Sequence, residues 1–175
     1  MLEITRENLR LRKLCFHFLL VASLLVLPGC FFTEINSDGS GVLTRLIVAP
    51  VGVDARTFCP QAGRGYTTNI DGRNCWATAS FKNLSELREL IEAVKSPTVR
   101  INQLEKTGDG KFIVDLSVDA PEWPADYTGR FYLWSLKMPG TVTSHNAHRV
   151  DNGVLRWLAA PEQGVFRVHA ESQVN

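Results

Sequence analysis

The chain has 175 residues and is nearly balanced in charge, with 19 Lys and Arg against 18 Asp and Glu. That balance leaves no surplus of cations to neutralise a phosphate backbone, which argues against nucleic acid as a partner. Aromatic content is ordinary at 9% and no low-complexity tract interrupts the sequence, which leaves a globular chain with enough residues for one domain with a real core.

At the amino terminus, Arg6, Arg10, Arg12 and Lys13 outweigh Glu3 and Glu7, and Leu14 to Leu27 is then almost wholly apolar, broken by His17 and Ser23. A helix of about 14 residues is roughly 21 Å long, whereas crossing a hydrocarbon core of about 30 Å takes about 20 residues. The run is short for a membrane span and fits the apolar part of a secretory signal. It ends in Leu27, Pro28, Gly29 and Cys30. That ending resembles the lipobox of bacterial lipoproteins, with Pro28 in place of the usual small residue.

The lipobox resemblance implies cleavage before Cys30, diacylglyceryl modification of the Cys30 thiol and acylation of the new amino terminus, palmitate being a typical acyl group. Residues 1–29 are then a signal peptide, and residues 30–175 carry a net charge of −1 once four basic and two acidic side chains leave. Two other readings of the stretch stay open. One is a core helix ended by Pro28 and Gly29 with Cys30 as a buried thiol, and the other is an uncleaved signal anchor. Phe31 follows the cysteine where an Asp tends to retain lipoproteins at the inner membrane, so the outer membrane is favoured if there is one.

Cys15 lies within the signal. Cys59 and Cys75 form an even pair in an exported chain and read as one disulfide closing a Gly-rich loop, worth about 3 kcal/mol on the chain-entropy model. Free thiols, or half of a metal site, are the alternatives.

Along the remaining chain, "TEIN" and "GVLTRLIV" alternate around "SDGSG" and predict a hairpin. Residues 50–74 read as a long connection, and "CWATASF" as a strand. The spacing of Leu84, Leu87, Leu90, Ile91 and Val94 predicts a helix over 83–95, with Asn83 as its cap, Glu86 in the capping-box position, Lys95 at its end and Pro97 as its stop. A second hairpin follows from "TVRINQLEK" and "KFIVDLSVDA". "RFYLWSLKMPG" continuing into "TVTSHN", then "VLRWLAA" and "VFRVHAES", supply further strands after a linker at 121–130. The expected fold is α+β, an antiparallel β-sheet of about six or seven strands packed by one main helix (83–95), after the cleaved signal helix. No apolar run long enough to span a bilayer follows Cys30.

Pro139 and Gly140, Val142, Asn146, Trp157 and the closing "VFRVHAES" together resemble the LppM-type family of bacterial lipoproteins. In that family a strand ends in Pro-Gly and is followed by a Val, an Asn-centred turn, a strand with a Trp and a final strand. The first hairpin and the Asn-capped helix look similar too. The resemblance implies that residues 30–175 are a single extracytoplasmic domain with helices packed on an antiparallel sheet. Its fold would be like that of lipid-holding proteins, and envelope glycolipid binding has been proposed for the family. Some members carry a carboxyl-terminal membrane helix, which does not carry over to this chain.

Candidate chemistry is sparse. His145 and His148 stand three apart, but a turn between strands without a third ligand near reads as solvated loop rather than zinc site. Asp115 and Asp119 share a strand face and read as solvated carboxylates. No nucleophile elbow, phosphate loop or dinucleotide fingerprint is present. The expectation is therefore no catalysis, no metal and no cofactor.

Trp123, Tyr127, Phe131, Tyr132 and Trp134 cluster around two Pro. They are candidates to line an apolar ligand cavity, and the plain alternative is a core plus an exposed loop. The expected protein is a lipid-anchored extracytoplasmic lipoprotein of the cell membrane, or of an outer membrane, that binds an envelope lipid or other apolar ligand. The alternative is a module that holds another envelope protein through a sheet edge or the 50–74 loop, without ligand or catalysis.

Overall fold

Alternation between inward and outward residues builds two sheets from this chain. The computed structural model describes residues 30–49, 52–57, 59–60, 65–93, 98–119, 131–159 and 164–174, the side chains at 131, 132 and 159 excepted. The strands are β1 (Cys30–Ile35), β2 (Gly41–Val48), β3 (Tyr66–Asp71), β4 (Asn74–Phe81), β5 (Val99–Lys106), β6 (Lys111–Asp119), β7 (Phe131–Lys137), β8 (Thr141–His145), β9 (Arg149–Asp151), β10 (Val154–Ala159) and β11 (Val165–Gln173). Helix α1 spans Leu84–Glu92, and a 3₁₀ turn lies at Ala55–Thr57. Sheet A has seven strands in the order β3-β4-β2-β1-β7-β10-β9, and sheet B has four in the order β5-β6-β11-β8.

The expectation of one antiparallel sheet of six or seven strands packed by a helix over 83–95 is corrected on three points. The fold is mostly β, with a second sheet. The helix is shorter, and it is the single α-helix among the described residues. The central pair β1–β7 is parallel, with Phe31 opposite Trp134. The physical reason is coverage. A nine-residue helix presents only Leu87 and Ile91 fully to the interior, with Leu84 and Leu90 partly buried. The rest of sheet A's apolar face is covered by sheet B. Phe31, Leu43, Trp134, Leu155 and Trp157 from sheet A join Phe112, Leu116, Val118, Phe166 and Val168 from sheet B in one core. Phe31 and Trp134 stack with ring centroids 4.7 Å apart, a pairing worth about 0.5–1.5 kcal/mol beyond the area it buries.

Local chemistry explains the predicted boundaries. In the β1–β2 turn, Asp38 Oδ1 accepts from the Ser40 N–H at 2.9 Å and from the Ser40 hydroxyl at 2.7 Å. Asn83 Oδ1 accepts from the Glu86 N–H at 2.9 Å, satisfying one of the orphan donors of the first turn. Glu86 reaches back to the Lys82 N–H at 2.8 Å, one residue before the usual capping-box partner. Val94, Lys95 and Pro97 lie outside the described residues.

Two strands were not expected from the sequence. β3 falls in the predicted 50–74 connection, because "YTTNID" lacks an apolar period; it lies at the edge of sheet A, with most of its residues exposed. β9 is three residues long. The predicted continuation from "RFYLWSLKMPG" into "TVTSHN" is broken. After Met138 the chain turns at Pro139 and Gly140 and leaves sheet A for sheet B. Gly140 has φ +68°, and a Cβ there would overlap the Gln173 carbonyl. Both facts restrict the corner to glycine.

Candidate functional site

Cys30, the cysteine of the lipobox-like sequence, is the first residue of β1 and pairs with Leu46 of β2. Its side chain is half-buried, and burial pushes its thiol pKa up, which disfavours the thiolate. Phe31, the next residue, is already in the core against Trp134. No spacer of chain separates this thiol from the fold.

The described disulfide joins Cys59 to Cys75 across 16 residues, with Cα atoms 5.9 Å apart. Cys75 is buried on β4 opposite Ile47 and Ile70. The bond therefore ties the segment after β2 to the end of sheet A that also holds Cys30.

Of the five aromatic candidates, Trp123 and Tyr127 lie outside the described residues, as do the side chains of Phe131 and Tyr132. Trp134 is fully buried against Phe31. Its indole Nε1 is buried and makes no hydrogen bond among the described residues, as is true of Thr33 Oγ1 and Ser172 Oγ. Thr33 and Trp134 face the core from sheet A, and Ser172 continues the inward row of β11 after Phe166, Val168 and Ala170.

The histidines do not converge. His145 Nδ1 accepts from the Ala147 N–H at 3.2 Å, and His148 Nδ1 accepts from the Leu158 N–H at 3.1 Å. Between them stands Asn146, whose Oδ1 accepts from Trp157 Nε1 at 2.7 Å and from the His169 N–H at 2.8 Å. Its amide nitrogen donates to the Arg167 carbonyl at 2.8 Å. One side chain thus ties β10 of sheet A to β11 of sheet B. Among the described residues no group of three His, Cys, Asp or Glu is placed to hold a metal.

Asp115 departs from its sequence reading. It stands on β6 but is only 5% exposed, with Arg167 of β11 forming a two-pronged pair to its carboxylate. Asn102 donates to it at 3.0 Å, and His169 Nδ1 lies 3.7 Å away. The Arg167 hydrogen bond, opposed by desolvation, holds its carboxyl below the usual range. His169 Nε2 lies 3.9 Å from Glu171, which pairs with Lys111 at 2.9 Å. Arg167, Asn102 and Glu171 were missed because only the registers of β11 and β5 against β6 bring them together, His169 standing opposite Asp115 and Asn102 at the β5 irregularity beside it.

No family model matches this chain, and no curated protein matches it. Among solved structures it is similar to the folded domain of the LppM protein of Mycobacterium tuberculosis. The TM-score is 0.61 at 19% identity, covering 86% of this chain and 91% of that one. At that identity the similarity shows the fold, which is LppM-like.

Proposed function

We infer that this chain is an envelope lipoprotein, anchored through acyl chains on Cys30, whose LppM-like fold holds an envelope lipid or other apolar ligand between its sheets. The observation that carries the anchor is the position of Cys30. A lipobox-like ending leads directly into the first strand of an LppM-like fold, so cleavage before Cys30 leaves that fold whole. One acyl chain holds a protein to a bilayer only marginally, and two or more make the attachment stable. The domain stands outside the cytoplasm, on the cell membrane or on an outer membrane.

The ligand reading is supported by the orphaned polar atoms of Thr33, Trp134 and Ser172 in an otherwise apolar interior. Unpaired buried donors and acceptors cost about 1–3 kcal/mol each, and a lipid ester or hydroxyl would satisfy them. A second reading, an envelope protein partner, is favoured by β3. Its exposed edge can accept an added strand.

Two measurements test this. Cys30→Ala should abolish fatty-acid labelling and accumulate unprocessed precursor; labelling that persists excludes Cys30 as the site. Native mass spectrometry of the full chain, extracted in mild detergent, should show a bound lipid beyond the covalent acyl mass. A bare protein mass, with a protein crosslinked through β3 in cells, replaces the ligand reading with the second one.

A further inference from the structure

The outward residues of sheet A change character along the strands. Phe31, Thr33, Leu43, Ala77 and Ala79 face inward and are buried, so the residues alternating with them face outward. Residues paired across neighbouring strands share a face. The outward row at the start of β1 reads Cys30, Leu46 and Trp76, whereas Leu133 of β7, at the bulge against β10, is fully buried in the core. The row crosses three strands, about 10 Å at the usual strand spacing.

The next row reads Ser135, Phe32, Thr44 and Thr78, with the two threonine hydroxyls 3.0 Å apart. The third reads Lys137, Glu34, Val42 and Ser80, with Lys137 Nζ 2.7 Å from Glu34 Oε1. From Leu46 and Trp76 toward Lys137 and Glu34 the face passes from apolar to charged in two steps of roughly 6–7 Å each, through a row in which Phe32 stands among hydroxyls and Arg156 beside Ser135. On the other side of the apolar row stand Val48, Asn74 and Asp71. Trp76 is 41% exposed although β4 is flanked on both sides by other strands.

We propose that this outer face of sheet A lies against the lipid bilayer, with the Cys30, Leu46 and Trp76 row at the acyl boundary and the Lys137–Glu34 row in water. The proposal rests on acylation of Cys30. Chains leaving that thiol emerge in the apolar row itself, and with Phe31 locked in the core they have no tether along which to swing away. A surface element sinks about 5–10 Å into the boundary between headgroups and acyl chains, a depth that matches the apolar row and the start of the hydroxyl row. Tryptophan is the side chain that favours this zone, with an apolar ring and a polar N–H.

The test uses the full chain made in a lipoprotein-processing host and reconstituted into vesicles of equal phosphatidylcholine and phosphatidylglycerol. Processing removes Cys15, acylation blocks Cys30 and the disulfide occupies Cys59 and Cys75, so a single added cysteine can carry an environment-sensitive fluorophore. Trp76→Cys, Thr78→Cys and Lys137→Cys are compared. Emission from position 76 is expected to shift to the blue and to be quenched about twofold by brominated phosphatidylcholine, position 78 less so, and position 137 hardly at all.

Cys30-dependent flotation of the vesicles is read in the same samples. If flotation holds while 76 and 78 stay water-like, the face is wrong and the anchor stands. If flotation does not depend on Cys30, both fall. A label at 76 that is shielded yet untouched by the brominated lipid marks a protein partner and overturns the bilayer assignment.

Discussion

The two outer faces of the molecule make the instructive comparison. Both sheets turn the same kind of residue inward and share one core, yet they present different surfaces outward. Sheet A exposes Trp76 in a row with Cys30 and Leu46. Sheet B carries a ladder of charge from Lys111 through Glu171, His169 and Asp115 to Arg167, with Arg100 paired to Asp119 on the strand beside it. Inward alternation is a requirement of folding, whereas the outward residues are free to be chosen for their surroundings. A difference between two outward faces of one fold is therefore information about what each face meets.

The largest expected effect is the one that should erase the comparison. Trp157 is fully buried in sheet A and bound through Asn146 to β11 of sheet B. Trp157→Ala should cost about 3–5 kcal/mol in denaturant unfolding and loosen both faces together. A loss confined to one face would show that the sheets are held independently.

Removing the disulfide acts on one side. Cys59→Ser with Cys75→Ser should lower unfolding free energy by about 3 kcal/mol. Hydrogen exchange should rise first near β4 and β2, where Cys75 opposes Ile47, and later in β6 and β11. Equal acceleration in both sheets would contradict this.

Asp115→Asn isolates sheet B. Arg167 is 61% exposed, so solvent screens the pair and the loss should be about 1 kcal/mol. Because the native carboxyl pKa lies below the unfolded one, Asp115 stabilises the fold above the unfolded carboxylate range, near pH 4, and that contribution is lost as pH falls through the lower native value. Wild-type Tm should therefore fall more steeply with acidification than that of the variant. Asp38 and Asp109 are also held low by local hydrogen bonds, but they are present in both proteins and cancel in the difference. Parallel Tm curves would remove Asp115 from the acid response.

The smallest effect on stability should come from Trp76→Thr, within about 0.5 kcal/mol, as for most exposed positions. If Cys30 is acylated as proposed, the variant should nevertheless leave vesicles faster than wild type. A large stability loss would mean that Trp76 packs rather than docks.

Much of the local structure is legible in the sequence. The first hairpin was readable from "SDGSG", because its turn is closed by Asp38 and Ser40 themselves. The helix start was readable because Asn83 and Glu86 act within one turn. The pairing of Cys59 with Cys75 followed from counting. The candidate residues were less legible. Asp115 looked solvated because its partners come from β5 and β11. Trp134 reads equally as cavity lining or core along the chain, and its stack on Phe31 joins residues a hundred positions apart.

By itself, then, the sequence determined what acts at short range: strand alternation, the cap, the turn chemistry, the even pair of cysteines and the apolar run that ends at Cys30. Only the tertiary structure decided that the strands divide into two sheets, that β1 lies parallel to β7, and that Asn146 bridges the sheets. It also decided that Leu46 and Trp76 stand in one row with Cys30. The reason is register. Period-two alternation specifies which way each side chain points, but which strand lies beside it is chosen by burial of the shared core, to which every strand contributes at once.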